Sequence, residues 1–482
     1  MEDEKMNVSK QLEFIKGTAL NQMYSHMNNI SKLSEQGIRT RRIDRNTIRK
    51  AMADPYKNVT LLQQASELFK VTSGIYARVI NYQSNILTNY HTISPYNINK
   101  IKTPEKLQKA YMETAMFLQK YNIIRTAPWI YNRTISQGEL YLYKIEDNNG
   151  LITMEIPSNL CKITSVSNDV SRYAVSLTKL TKSSVKAMPL EIQKAYESLQ
   201  NKVIKKSDLI DNEYFEIGDN GIAFSLNRYK PKSVPFYASI FDDLMELEDM
   251  KDLKSSTAVI DNLKIIHQQL PTDKSSGDVL MDFDVAQAYH RDTASKVPTG
   301  TTVVTNPMPM NTVTLADGNS KVVNNVRDSI DNIYDGAGVS VEIFNANRAS
   351  NEAIACGIMT DSLVALEIQR MIAAWINYEL LTKNKKNGIW QIKFIEGMTH
   401  YNKDSYIKLA REDMSFAADK SMFFACRGLT PLEVINTLKM EQMLGIDDLM
   451  TPVQSSHTSS SGRPSKEDAG NDSGQSTKPL EE

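Results

Sequence analysis

The chain has 482 residues, 41% of them hydrophobic, enough for two or three domains with their own cores. Its 56 Lys and Arg balance 57 Asp and Glu, so no global basic field marks a nucleic-acid binder, and any such contact would have to be local. Three cysteines (Cys161, Cys356, Cys426) lie far apart without CxxC spacing, which argues against a disulfide framework or a cysteine zinc site.

The first residues, MEDEK, are acidic and no apolar segment follows, so a secretory leader is not expected. No run of about 18 apolar residues is present to span a membrane, and a soluble, intracellular protein is expected. Residues 1–49 read as a polar arm with a basic cluster, Arg39, Arg41, Arg42, Arg45 and Arg49, next to Lys50. Two readings stand side by side: an arm that touches nucleic acid or an acidic partner, and a solvated helix face. Residues 60–92 are predicted helical, with Leu62, Ala65, Phe69, Val79 and Ile80 on the apolar face and a bend at Gly74. Residues 104–121 give another helix, opened by Pro104, with Leu107, Tyr111, Ala115, Leu118 and Tyr121 turned inward.

From about 122 to 230 the period changes to two. Residues 140–145 and 151–156 flank Asn149-Gly150, a strong hairpin signal. Residues 214–217 and 222–226 around a Gly-Asp-Asn-Gly turn form a second hairpin candidate, and Pro189 opens a short helix. The expectation is an α+β domain with antiparallel pairing, not a repeating βαβ nucleotide-binding unit.

Between Phe236 and Leu270 there is neither Pro nor Gly, while Pro235 and Pro271 close both ends. Ile240, Leu244, Leu247, Met250 and Leu253, then Ile260, Leu263 and Ile266, recur three or four apart, which predicts one helix of roughly 50 Å. A helix that long with a narrow apolar stripe is expected to pack on copies of itself. Residues 272–316 read as a small insertion with one helix (283–292) and two strands (301–305, 312–315). Helix resumes over 321–335 with Val322, Val326, Ile330 and Ile333 as its stripe, ending at Gly336 and Gly338. A loop over 339–349 follows. Ser350 then caps a helix running to Leu381, and a strand at 389–395 returns to the sheet domain. Residues 404–425 and 431–444 are predicted helical, the second with Pro431 at its start and Gly445 past its end. Residues 453–482 hold no aromatic residue and read as a disordered tail.

Signs of catalysis are scarce. There is no GxxxxGK[ST] loop, no GxGxxG after a strand and no HExxH. The carboxylates Asp242, Asp243, Glu246, Glu248 and Asp249 spread around the helix, which fits a solvated or intersubunit face better than a metal site. Neither a cofactor nor an enzymatic activity is expected.

Several stretches together resemble the portal proteins of tailed bacteriophages, particularly those of phages infecting Gram-positive bacteria. RNTIRKAMADP (45–55), then SGIYAR (73–78) and Tyr82, is similar to that family's N-terminal signature. Pro157, Cys161 and Ile163 within 156–180 resemble its central β region. Ser233-Val234-Pro235-Phe236 leading into an acidic helix resembles the start of the portal stem, and Gly336-Ala337-Gly338-Val339 with Ser350-Asn351-Glu352 resembles its tunnel-loop junction. Each motif is weak alone, and their order over about residues 40–465 carries the resemblance.

The resemblance implies an α+β portal fold assembled as a ring, usually of twelve subunits, at one capsid vertex of the virion. Residues 1–49 would be an arm, 50–234 the wing, 235–271 and 317–338 the stem, and 272–316 the clip. Residues 339–349 would form the tunnel loop, 350–403 a long wing helix and returning strand, 404–450 the crown, and 451–482 a tail. Double-stranded DNA would be packaged and ejected through the channel. The partners would be the terminase large subunit, a head-completion adaptor, and the major capsid and scaffolding proteins. Glu342, Asn345, Asn347 and Arg348 would line the channel, and Ile240, Leu244, Leu247 and Leu263 would pack the stem. A loop so nearly neutral suits sliding, since each neutralised phosphate adds affinity and drag. The alternatives are another non-enzymatic phage structural or adaptor protein, and a nucleic-acid-processing enzyme with a cryptic site.

Overall fold

The computed structural model describes residues 43–97, 103–146, 151–262, 264–271, 273, 280–296, 301–306, 319–344, 350–383, 389–416 and 419–446. The chain divides into two compact units, residues 1–430 and 431–482. The architecture is mixed α+β.

Three helices open the first unit: α1 (Arg45–Ala53), α2 (Val59–Thr72) and α3 (Gly74–Asn85). The bend expected at Gly74 is a full break one residue earlier. Ser73 is extended (φ −107°, ψ 109°), and its Oγ accepts the Tyr76 N–H at 3.3 Å, so it starts a new helix. A Cβ on Gly74 would meet nothing within 4 Å, so the serine cap and not the glycine makes the corner. The helix expected to continue to residue 92 stops at Asn85, and β1 (His91–Pro95) follows.

Helix α4 (Pro104–Tyr121) holds to expectation, and Asn122 in the left-handed region (φ 43°) turns the chain into α5 (Ile123–Gln137). This second helix corrects the reading of 122–137 as period-two sequence. Pro128 sits inside it, and a proline there leaves the Ile124 carbonyl without its helical donor. Gly138 (φ +80°) ends it, where a Cβ would lie 2.1 Å from the Val234 carbonyl oxygen. Only glycine fits there.

The main sheet contains β2 (Glu139–Glu146), β3 (Leu151–Ile156), β4 (Cys161–Ser167), β5 (Val170–Ser176), β6 (Tyr214–Glu216) and β7 (Gly221–Ser225). Their order is β3-β2-β7-β5-β4, with β6 also on β5, and every pairing is antiparallel. The β2–β3 hairpin forms as expected, Glu146 opposite Leu151. The second expected hairpin does not. β6 pairs with the C-terminal part of β5 (Ser176 opposite Tyr214), and β7 pairs with β2 and reaches β5 at Ser171. The two strands therefore lie in line along β5, not side by side.

Helices α6 (Lys182–Val185) and α7 (Leu190–Gln200) cover one face, where Val185, Ile192 and Ala195 join Tyr141, Tyr143, Tyr173 and Val175 in one apolar cluster. The other face meets α5 and a later helix, α13 (Leu363–Tyr378), whose Trp375 sets its ring edge-on to Phe224 at 5.9 Å. Because β2 is covered on both sides, each residue from Glu139 to Lys144 is buried.

The expected 35-residue helix is shorter. After a 3-10 turn at Ala238–Ile240, α8 (Phe241–Asn262) runs 22 residues, about 33 Å. The chain then becomes β8 (Lys264–Gln269), so Ile266 belongs to a strand despite its helical spacing, and Leu263 lies outside the described residues. β8, α9 (Phe283–Lys296) and β9 (Thr301–Asn306) form a parallel strand pair joined by a crossover that contains a helix, Lys264 opposite Thr301. The strand expected at 312–315 lies outside the described residues.

Helix α10 (Asn319–Ala337) returns along α8: a Cβ on Gly336 would sit 3.3 Å from Ile240 Cγ2 and 3.4 Å from Asp243 Oδ2. Gly336 is thus inside the helix, and Gly338 (φ +64°) follows its end. A short helix, α11 (Val341–Phe344), occupies part of the expected loop. Ser350 caps α12 (Asn351–Asp361), its Oγ accepting the Ala353 N–H at 3.2 Å. The helix expected to reach Leu381 breaks at Ser362 into α13 (Leu363–Tyr378), which ends in a π turn at Glu379–Lys383. β10 (Trp390–Phe394) then pairs with β1, His91 opposite Phe394, and not with the main sheet. Helices α14 (Lys403–Ser415) and α15 (Lys420–Cys426) replace the single helix expected over 404–425, and their Ala410, Ala425 and Cys426 pack with Ile395 and Met398. In the second unit, α16 (Pro431–Leu444) starts and stops as predicted, with Gly445 at φ +62°. Among the described residues no helix is long and apolar enough to cross a membrane.

Candidate functional site

Residues 345–349, with Asn345, Asn347 and Arg348, lie outside the described residues, as do Arg39, Arg41 and Arg42. Glu342 falls within α11, at the base of that segment. What the structure describes is how the base is held.

The Phe344 ring stacks on Tyr334 of α10, centroids 4.7 Å apart and planes 11° from parallel, and meets Tyr82 of α3 edge-on at 5.3 Å. The Arg78 guanidinium carbon sits 4.7 Å from the same ring centroid. Behind this cage is the buried carboxylate of Asp361 at the end of α12. It accepts the Tyr82 hydroxyl at 3.0 Å, the Ser340 N–H at 3.3 Å and the Ser340 hydroxyl at 3.5 Å. Burial, then the charge on Asp361, pushes the Tyr82 phenol far above its ordinary pKa, so it stays a donor. The distant α3 and the flanking helices α10 and α12 thereby hold α11 from several sides, with Tyr82 joined to both Phe344 and Asp361.

A second cluster lies at the start of α8. Arg45 of α1 reaches Asp242 (2.7 Å), Glu246 (2.7 Å) and Asp249 (3.5 Å), and Arg49 reaches Asp242 at 2.9 Å. These bidentate contacts hold the Asp242 carboxyl down to about 2, while burial and the charges of Asp242 and Glu246 raise Asp243. Arg45, grouped in the sequence with a cluster that could touch nucleic acid, is engaged inside its own chain. Of the acidic stripe, Asp242, Glu246 and Asp249 meet these arginines within the chain, while Glu248 and Asp249 are exposed, as expected of a solvated face.

The apolar stripe of α8 likewise packs within the chain. Ile240, Leu244 and Leu247 are 0%, 5% and 3% exposed in the single chain, beside α10, so this half of the stripe is core and not an exposed seam. The apolar surface of α10 covers it before any copy arrives.

Two buried polar clusters tie the main sheet to its neighbours. Lys144 of β2 and Glu379 of the π turn pair at 2.6 Å with 2% and 1% of their side chains exposed. Glu139 accepts the Ser233 N–H at 2.8 Å, the Tyr141 hydroxyl at 3.1 Å and the Gln63 amide at 3.3 Å, and burial raises its pKa. Both read as structural ties, since each is enclosed and already partnered. No group of three or more His, Cys, Asp or Glu able to hold a metal ion occurs among the described residues.

Sequence reasoning missed the Phe344 cage. Arg78 and Tyr82 stood within a stretch singled out for its resemblance, yet their convergence with Tyr334 and Phe344 spans more than 250 positions and leaves no local signal. Compared with known proteins, the chain matches no family model, and no curated protein matches it significantly.

Proposed function

We propose that the chain is a portal-type protein, a ring-forming, non-enzymatic conduit for double-stranded DNA at a capsid vertex. It would also be the platform on which a terminase and then a head-completion adaptor dock. One observation carries the reading: the order of α8, a small parallel βαβ unit, the returning helix α10 and an aromatic-caged turn before residues 345–349. That order is what the resemblance implies for stem, clip, stem and tunnel loop. A conduit needs a loop held firmly at its base yet weakly attracted to phosphate at its tip, and the Phe344 cage supplies the first requirement.

The test is particle size. Recombinant full-length protein, weighed by mass photometry and imaged in negative stain, is expected to give rings with a central hole and close to twelve copies. A monodisperse monomer or dimer that persists from low to high salt would overturn the proposal.

A further inference from the structure

The outer strand of the main sheet offers a binding edge. β3 is paired on one side only, with β2. The Lys144 N–H donates to the Asn220 carbonyl at 2.7 Å, and the Gly138 carbonyl accepts the Leu226 N–H at 3.2 Å, so the even-numbered residues here turn their backbone groups toward β7. Thr153 stands opposite Lys144 and Glu155 opposite Leu142. Both therefore turn N–H and C=O away from β2, with a period of two along the edge. Among the described residues no hydrogen bond reaches those backbone groups.

A cavity of about 290 Å³ lies beside this edge. Leu151 and Thr153 form one wall, Ile123 and Ala127 of α5 another, and Ile372 and Trp375 of α13 close it. Charges at both ends are already matched: Lys120 with Glu146 at 3.7 Å, and Arg133 with Glu155 at 2.5 Å. Outward N–H and C=O groups at strand spacing are complemented by another extended backbone, and a wall that mixes these apolar side chains with Asn122 and Thr126, flanked by neutralised charges, favours uncharged side chains.

We propose that the β3 edge takes an extended, uncharged segment of a partner protein as an added strand. A second copy joining its β4 to this β3 is disfavoured by the opposite edge. There the Ile163 N–H of β4 already donates to the Pro231 carbonyl at 3.1 Å, so β4 is covered where a neighbouring β3 would pair. Two copies joined β3 to β3 would show as protection that depends on protein concentration.

The experiment reads amide hydrogen exchange residue by residue on the full-length protein, alone and with the capped peptide Val-Thr-Val-Thr-Val-Thr. Alone, the Thr153 and Glu155 amides are expected to exchange fast, and those of Ile152 and Met154, bonded to β2, slowly. With roughly 1 mM peptide, Thr153 and Glu155 should slow about tenfold or more. The same peptide N-methylated at alternate residues should have no effect. Thr153→Pro removes the outward N–H together with the threonine side chain at a position an edge strand tolerates, and should abolish the response at Glu155 while Met154 stays protected. Three results would overturn the proposal: slow exchange at Thr153 and Glu155 in the dilute free chain, equal protection by the N-methylated peptide, or no protection by either. Protection that rises with protein concentration alone would assign the edge to a second copy and overturn it too.

Discussion

In the main sheet, β2 is enclosed on both faces, and burial extends unbroken from Glu139 to Lys144. In α8, among the described side chains (241–252), Phe241, Leu244 and Leu247 are buried, while Glu248, Asp249, Lys251 and Asp252 are exposed. The sheet draws its order from layers on either side and even holds an ion pair in its interior. The helix draws its order from α10, from the Phe69 and Tyr76 rings against Phe241, and from arginines that reach across from α1. Each region therefore has a different weak point: a missing partner inside the sheet, a missing contact along one stripe of the helix.

The largest effect is expected in the sheet. Glu379→Ala leaves the buried Lys144 ammonium with the partly exposed Glu146, 3.6 Å away, in place of its enclosed partner, and should lower unfolding free energy by about 3–5 kcal/mol in urea titrations. Lys144→Met combined with Glu379→Leu should recover most of that loss. If the single substitution were harmless, the interior pair would not be what ties β2 to the end of α13.

Leu244→Ala should remove about 2–4 kcal/mol, because it opens a cavity between α8 and α10. The loss should be the same in dilute, unassembled chain as in concentrated protein. A loss that grows with protein concentration would return Leu244 to a contact between copies and blur the contrast drawn above.

Phe344→Ala takes away one stacked and one edge-on ring contact, about 1–2 kcal/mol in all. The effect should be local, seen as faster amide exchange at Ser340 and Ile343 with little change in the global melt. A global melt that fell as far as for Leu244→Ala would make the cage part of the core.

The smallest effect belongs to the ionic clamp. Asp242 has a folded-state pKa lowered to about 2 from its ordinary value near 3.8. Its contribution is therefore present above pH 4 and lost as pH falls from about 4 to about 2. With Asp242 about a third exposed, solvent screening limits the Arg45–Asp242 coupling to about 0.5–1 kcal/mol. A double-mutant cycle with Arg45→Ala and Asp242→Asn should return that value at neutral pH, less in high salt, and close to zero at pH 2.

The parts legible in the sequence were those with local chemistry. Pro104 and Pro431 mark helix starts, Ser350 caps α12, Gly338 and Gly445 follow helix ends, and Asn149-Gly150 separates two strands that do pair. Where the reading failed, tertiary packing overrode propensity. Ile123, Ile124, Thr126, Ile130, Thr134 and Ile135 are β-branched and Pro128 breaks the helical pattern, yet α5 forms because its apolar side closes the sheet. Ile260 and Ile266 keep helical spacing across a switch from helix to strand that neither Gly nor Pro marks. At the candidate site, the Ser350 cap was readable, but the Phe344 cage and the arginine clamp were not, because their members meet only after folding.

One pairing bears on how the chain is made. His91 of β1 and Phe394 of β10 are neighbours in the sheet but about 300 residues apart along the polypeptide. At roughly 5–20 residues per second on a ribosome, β1 waits on the order of 15–60 s for its partner strand. Asn89, which accepts from Gln369 at 3.1 Å, and Tyr82, which donates to Asp361, wait nearly as long. The N-terminal helices thus emerge with their closing contacts still unsynthesised, and the nascent chain must keep β1 from mispairing until its last third arrives.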